Sequence, residues 1–378
     1  MHAARAGGDS IHDRCPRSAM DMDTRLFSPL TLRELTVPNR IFVSPMCQYS
    51  CENGMPNDWH LVHLGSRAVG GAGLVMAEAS AVCPEGRITP FDAGLWNEAQ
   101  AQAYRRITDF IRMRGSVPAV QLAHAGRKAS TDAPWRGGHP IPADAGNGWV
   151  PDAPSALRFS PAHAEPNTLD EAGIERIKAQ FVASARLARQ AGFDVVELHM
   201  AHGYLLHSFL SPLSNRREDD WGGSLEHRAR LPLEIARAVR AEWPDELPVF
   251  VRISASDWVE DGWDLAQSVQ LSIWLREAGI DLIDCSSGGL VPDARIPAAP
   301  GFQTPFAQVV RNQAGVATGA VGLITEPTQA EHILVTGQAD AVLLARELLR
   351  DPYWPLHAAH ALGADVAWPP QYQRAQPR

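Results

Sequence analysis

The chain has 378 residues, 45% hydrophobic and 20% charged, an ordinary globular composition with length enough for a large core. Its formal net charge of −9 argues against the clustered basic surface of a nucleic-acid binder. No apolar run approaches the roughly 18 residues of a membrane helix, and the five cysteines (Cys15, Cys47, Cys51, Cys83, Cys285) are spaced neither as a disulfide framework nor as a metal cluster, so a reducing cytoplasm is the expected setting.

Residues 1–22 lack the apolar centre of a secretory signal and read as a disordered extension, with 23–378 as one domain ending in a tail. Residues 31–40 (TLRELTVPNR) predict a β-hairpin. Short, β-branched, apolar runs then alternate with longer helical patterns. The runs are 41–46 (IFVSPM), 73–79 (GLVMAEA), 117–123 (VPAVQLA), 193–199 (FDVVELH), 249–254 (VFVRIS), 280–287 (IDLIDCSS), 316–322 (VATGAVG) and 340–346 (DAVLLAR). Continuous apolar strands imply burial on both faces, hence a parallel sheet covered by helices. Among the helices, 168–171 (TLDE) predicts a capping box of Thr168 and Glu171, with Ile174, Ile177, Phe181, Val182 and Ala185 on one face after it. Another opens with Pro327 at its first position. Eight strand–helix units predict an α/β fold, a (β/α)8 TIM barrel with the hairpin at its N-terminal mouth. A doubly wound sheet is disfavoured, because no G-x-G-x-x-G follows the first strand. Long insertions at 124–166, 203–228 and 288–303 all follow strand C-termini, the face that carries the active site in this fold.

The strand ends then form a ring of polar groups. Strand one ends in Ser44, Pro45, Met46, Cys47 and Tyr49, strand two in Glu78 and Ala79, and strand three in Gln121, His124, Arg127 and Lys128. Strand four gives His199, His202 and Tyr204, strand five Arg252 and Asp257, and strands seven and eight Gly322 and Arg346. His199 closes a strand and His202 lies in the loop beyond it. Two imidazoles this close suit zinc, given a third ligand that the sequence does not make plain. They equally suit two donors to one oxygen that gains charge, with Tyr204 as proton donor. Gly322 and Arg346 fit a phosphate, which this fold commonly holds after strands seven and eight. Arg252, near the barrel axis, is a fixed positive charge suited to the anionic pyrimidine end of a reduced flavin.

Seven segments in order carry a resemblance: 44–50 (SPMCQYS), 78–82 (EASAV), 120–129 (VQLAHAGRKA), 196–215 (VELHMAHGYLLHSFLSPLSN), 219–228 (DDWGGSLEHR), 250–258 (FVRISASDW) and 344–352 (LARELLRDP). From about Leu26 onward the chain resembles the old yellow enzymes, flavin-dependent ene-reductases, in their thermophilic-like class with the xenobiotic reductases. The resemblance implies noncovalent FMN at the barrel mouth, NADPH or NADH as reductant, and ping-pong hydride transfer to the activated C=C bond of an α,β-unsaturated carbonyl or nitro compound. It implies that Ser44, Pro45, Met46, Cys47, Glu78, Ala79 and Gln121 surround the flavin ring, that Arg252 faces its N1/O2 edge, and that Gly322, Ala345 and Arg346 hold the phosphate. Ala345 stands where the family commonly has glycine. His199, His202 and Tyr49 would grip the substrate, Tyr204 would give the proton, and Cys47 would tune the flavin. In this class a C-terminal arginine reaches the neighbouring subunit's site, which implies a homodimer or homotetramer completed by Arg374. Two other functions are set against this one: a metal-dependent hydrolase using His199 and His202, which predicts bound zinc, and a barrel that binds a ligand without turning it over. The two-domain dienoyl-CoA reductases share the barrel but need an iron–sulfur cysteine cluster absent from this sequence.

Overall fold

A computed structural model describes residues 24–377; the expected extension at 1–22 lies outside the described residues. Eight parallel strands close into a barrel: β1 (Ile41–Val43), β2 (Leu74–Ala81), β3 (Val117–Ala123), β4 (Val195–Met200), β5 (Val249–Ser254), β6 (Leu282–Ser286), β7 (Ala317–Ala320) and β8 (Ala341–Leu344). Each pairs with its neighbours in sequence, and β8 closes onto β1. Helices α1 (Asp58–Val69), α2 (Glu98–Met113), α3 (Glu171–Gln190), α5 (Leu225–Glu242), α6 (Leu265–Glu277), α7 (Thr304–Ala314) and α8 (Pro327–Val335) run between successive strands. A short α4 (Leu205–Leu210) follows β4, and α9 (Arg346–Arg350) and α10 (Trp354–Leu362) follow β8. Among the described residues no helix is long and apolar enough to cross a membrane.

Period two within each strand divides the core. Ile41, Val43, Val75, Val120, Val196, Val251, Ile283 and Val342 point outward and pack beneath the helices. Phe42, Leu74, Met76, Ala119, Val195, Phe250, Leu282 and Leu343 point inward and fill the lower barrel. The hairpin, Leu30–Leu32 paired with Leu35–Val37, lays Leu30, Leu32 and Val37 against this inner cluster and floors the barrel.

Three local expectations differ from the structure. The first strand stops at Val43 rather than Met46, because Pro45 has no N–H to continue a ladder. The capping box of Thr168 and Glu171 does not form. Thr168 pairs instead with Ala153 in a two-residue parallel strand, and Asp170 caps α3 by accepting from Gly173 N at 2.7 Å. β4 runs one residue further than expected, so His199 is its penultimate residue.

Candidate active site

Above the floor the inward positions turn polar. The next layer holds Ser44, Gln121, Glu197, Arg252 and Asp284, all buried. Gln121 Nε2 donates to Glu197 Oε1 at 2.7 Å, and Arg252 Nη1 donates to Ser44 Oγ at 3.2 Å. Arg252 Nε lies 3.0 Å from Asp284 Oδ2, off the line of a hydrogen bond. Burial pushes the carboxyls of Glu197 and Asp284 upward, Asp284 adds to the rise at Glu197, and Arg252 pulls both back. Glu197 Oε2, Arg252 Nε and Asp284 Oδ1 have no hydrogen-bond partner within the protein. Buried polar atoms left open at a barrel mouth suit a polar ring laid across them.

The top layer carries the histidines. His199 is 3% exposed, and its Nδ1 accepts from Ala201 N at 3.3 Å, which leaves the proton on Nε2. His202 adopts φ +58, a left-handed conformation in which histidine is enriched. The turn is held from three sides. Its N–H donates to Ser254 Oγ at 2.9 Å, its Nε2 meets Ser286 Oγ at 2.7 Å, and its carbonyl accepts from Lys128 Nζ at 2.9 Å. Lys128 also reaches Gly289 O at 2.9 Å, tying the loops after β4 and β6 together. The imidazole rings stand edge to face, centroids 5.1 Å apart, and Tyr204 packs edge-on against His199 at 5.0 Å. Burial, then the nearby Arg252, depresses both imidazoles well below their ordinary range, so each is a neutral donor. Burial likewise keeps the Tyr204 phenol protonated. Among the described residues no group of three His, Cys, Asp or Glu side chains is placed to hold a metal ion.

The segment after β1 runs over the mouth. Tyr49 takes φ +46, and its ring meets Trp135 edge-on at 5.8 Å. Burial, then Asp92 and Glu78, raises the Cys47 thiol, which therefore stays protonated. Glu78 does not face the barrel interior. The β2–β3 register skips it at a bulge between Ala77 and Ala79, so Ala79 takes the inward place beside Gln121. The carboxylate of Glu78 turns to Gln48 N at 2.8 Å and to His60 Nε2 at 3.1 Å, holding the Cys47–Tyr49 segment from behind.

Across the mouth, Gly322, Ala345 and Arg346 line a cavity of about 200 Å³. Gly322 has φ +120, and a Cβ there would meet Gln303 Nε2 at 2.8 Å, so a side chain would fill the cradle. The donors and the space fit the phosphate end of FMN as the polar layer fits its ring. Arg374 is exposed on the Pro370–Ala375 turn. Asp284, Ser254 and Ser286 were not singled out from the sequence. The signal for Asp284 was a carboxylate inside the apolar run IDLIDCSS.

Residues 25–365 match the NADH:flavin oxidoreductase / NADH oxidase family. An NADPH dehydrogenase of Geobacillus sp. (strain WCH70) is 47% identical over 355 residues, 93% of this chain and 99% of its own length. That of Geobacillus thermodenitrificans (strain NG80-2) is 46% identical over the same shares. Among solved structures, morphinone reductase superposes with TM-score 0.75 at 28% identity over 92% of each chain. A 2-naphthoyl-CoA reductase superposes with TM-score 0.81 at 27% identity over 91% of this chain, which spans 53% of that enzyme's length. On sequence, barrel and site together, the chain belongs to the NADH:flavin oxidoreductase / NADH oxidase family and is an FMN-dependent NAD(P)H oxidoreductase of the old yellow enzyme type.

Proposed function

We propose that the protein reduces the activated C=C bond of α,β-unsaturated carbonyl or nitro compounds, in a ping-pong cycle for which NADPH is the reductant. The observation that carries this reading is the pair of neutral imidazoles, His199 and His202, set 5.1 Å apart beside Tyr204. Ser44, Pro45, Met46, Cys47, Ala79 and Gln121 surround the flavin ring, with Glu78 supporting that segment from behind. Arg252 would hold the flavin's pyrimidine end, and Gly322, Ala345 and Arg346 its phosphate. FMN held there would supply the redox chemistry, the transfer of hydride from the nicotinamide to the β-carbon of the acceptor.

The protein's own part is orientation and charge. His199 Nε2–H and the free ring nitrogen of His202 hold the acceptor's oxygen, where negative charge grows as the β-carbon is reduced. Neutral donors are well matched to that oxygen, because they stabilise the developing enolate without protonating it outright. The Tyr204 hydroxyl gives its proton to the α-carbon. Tyr49 closes the pocket from the other side, and Cys47 remains a thiol beside it. The chain forms a homodimer or homotetramer in which Arg374 of one copy enters the site of the next. Anaerobic visible spectroscopy tests the reading: a flavin spectrum should bleach with NADPH and return on adding 2-cyclohexenone. A spectrum that bleaches but does not return with enone or nitroalkene would reject the acceptor class.

A further inference from the structure

Asp92 sits behind the site and has no part in the steps above. It is 2% exposed and accepts from Ile88 N at 2.6 Å, Thr89 N at 2.9 Å and Thr89 Oγ1 at 2.7 Å. It shares with Tyr204 a small cavity of about 10 Å³, otherwise walled by Ala79, Ala81, Gly86, Ile88, Ala123 and Ala125. That volume admits about one water, and a buried water needs polar partners. The cavity's polar side chains are those of Asp92 and Tyr204. Arg87, Pro90 and Phe91, neighbours of Asp92 in the same loop, line an open crevice of about 660 Å³.

We propose that Asp92 returns a proton to Tyr204 after each turnover, through one water held between them, and is itself recharged from the crevice. The inference rests on Tyr204 as the proton donor. Once the Tyr204 O–H bond breaks and the proton joins the α-carbon, the phenolate takes a proton from the water. The water takes one from the Asp92 carboxyl, and the carboxylate left behind takes one from solvent. No electrons move in this sequence. The net proton is the one that the reduction of C=C by a hydride requires. Burial pushes the Asp92 carboxyl up to about 7 against the pull of its three donors, so it can hold the proton near neutrality. The other groups that feel its charge are Glu78, Cys47, Tyr49 and Tyr204 on the site side and Cys51 and Arg87 at the crevice.

The test is steady-state turnover of 2-cyclohexenone with NADPH, from pH 6 to 9 in the holoenzyme, for the wild type and for Asp92→Asn, Ala81→Val and Tyr204→Phe, beside a single oxidative half-reaction by anaerobic stopped flow, in which Tyr204 starts protonated and only Tyr204→Phe should be slow. The wild type should slow as pH rises through about 7. Asp92→Asn should be slower, on the order of 10²-fold at pH 6, and should lose that inflection. Ala81→Val, which fills the water's cavity and leaves the carboxylate loop intact, should lose the inflection too, and it decides the matter if Asp92→Asn does not fold. Lys128, near 8 and above the Tyr204 ring at 5.2 Å, adds an inflection that these variants keep. Infrared difference spectra of the wild type against Asp92→Asn should contain a protonated-carboxyl band that titrates near pH 7. A slow Tyr204→Phe beside variants that keep the wild-type profile would overturn the relay and spare the donor. An unimpaired Tyr204→Phe would overturn both.

Discussion

Replacing His199 with alanine removes one of the two donors to the acceptor's oxygen and little else of the chemistry. Its ring is 3% exposed and neutral, and its Nδ1 is occupied by Ala201 N at 3.3 Å, so it has a single N–H to offer. Loss of one preorganised donor to a developing oxyanion costs on the order of 10²–10³ in rate, about 2.7–4 kcal/mol of transition-state stabilisation. The fold also suffers, since the buried Ala201 N–H is left without its acceptor, at about 1–3 kcal/mol. The variant should therefore melt earlier yet fold and retain its flavin, because the proposed cofactor contacts lie elsewhere. Rapid mixing of the reduced holoenzyme with 2-cyclohexenone isolates the step, and His199→Asn, which keeps an N–H donor, should recover part of the loss. An alanine variant that reoxidises as fast as the wild type would refute the oxygen grip, whatever its effect on stability.

Three further outcomes follow from the same geometry. Gly322→Val forces a β-branched residue to φ +120 with its Cβ 2.8 Å from Gln303 Nε2, and should weaken FMN binding at least tenfold, about 1.4 kcal/mol, by fluorescence titration of the apoprotein. Arg374→Ala, at an exposed position, should leave the free energy of urea unfolding within about 0.5 kcal/mol of wild type and raise the KM for the enone on the order of tenfold. Acid should reveal an opposition of buried groups. His63 and His124, near 3, and the likewise depressed His199 and His202 stay neutral in the fold, so their contribution is present above about pH 6.5 and is lost as pH falls below it. Asp92, Glu197 and Asp284 are raised, so the fold keeps their protons where the unfolded chain releases them, and their contribution is lost as pH rises through their folded values. Four protons against three leave a net uptake of about one on unfolding between about pH 5 and 6, a slope of about 1.4 kcal/mol per pH unit. Below about pH 4 these three carboxyls no longer differ and the depressed Asp257 adds its own loss to that of the histidines, so the urea midpoint should fall gently in the first window and steeply in the second.

The barrel was legible because burial on both faces makes each strand a continuous apolar run, a pattern that survives without knowledge of its neighbours. Polar residues at the ends of those runs pointed to the mouth for the same reason: a His, Gln or Arg closing an apolar strand has no place in the floor. What the sequence could not carry was pairing. Glu78 reads as an inward strand-end residue until the bulge shifts the parity of β2 and sends its carboxylate to His60. Thr168 reads as a cap until Ala153, fifteen positions earlier, draws it into a ladder. Asp92 stood unremarked in a loop because its meaning lies in the space between it and Tyr204, and local pattern does not encode empty space.

The hairpin floor has a consequence for traffic. With Leu30, Leu32 and Val37 pressed into the lower barrel, the vessel is stoppered and has one doorway. A nicotinamide and an acceptor that both work above the same ring must queue there, and each is an obstacle to the other while it lingers. The enzyme should therefore be slowed by an excess of either reactant, each competing for the form that awaits its counterpart.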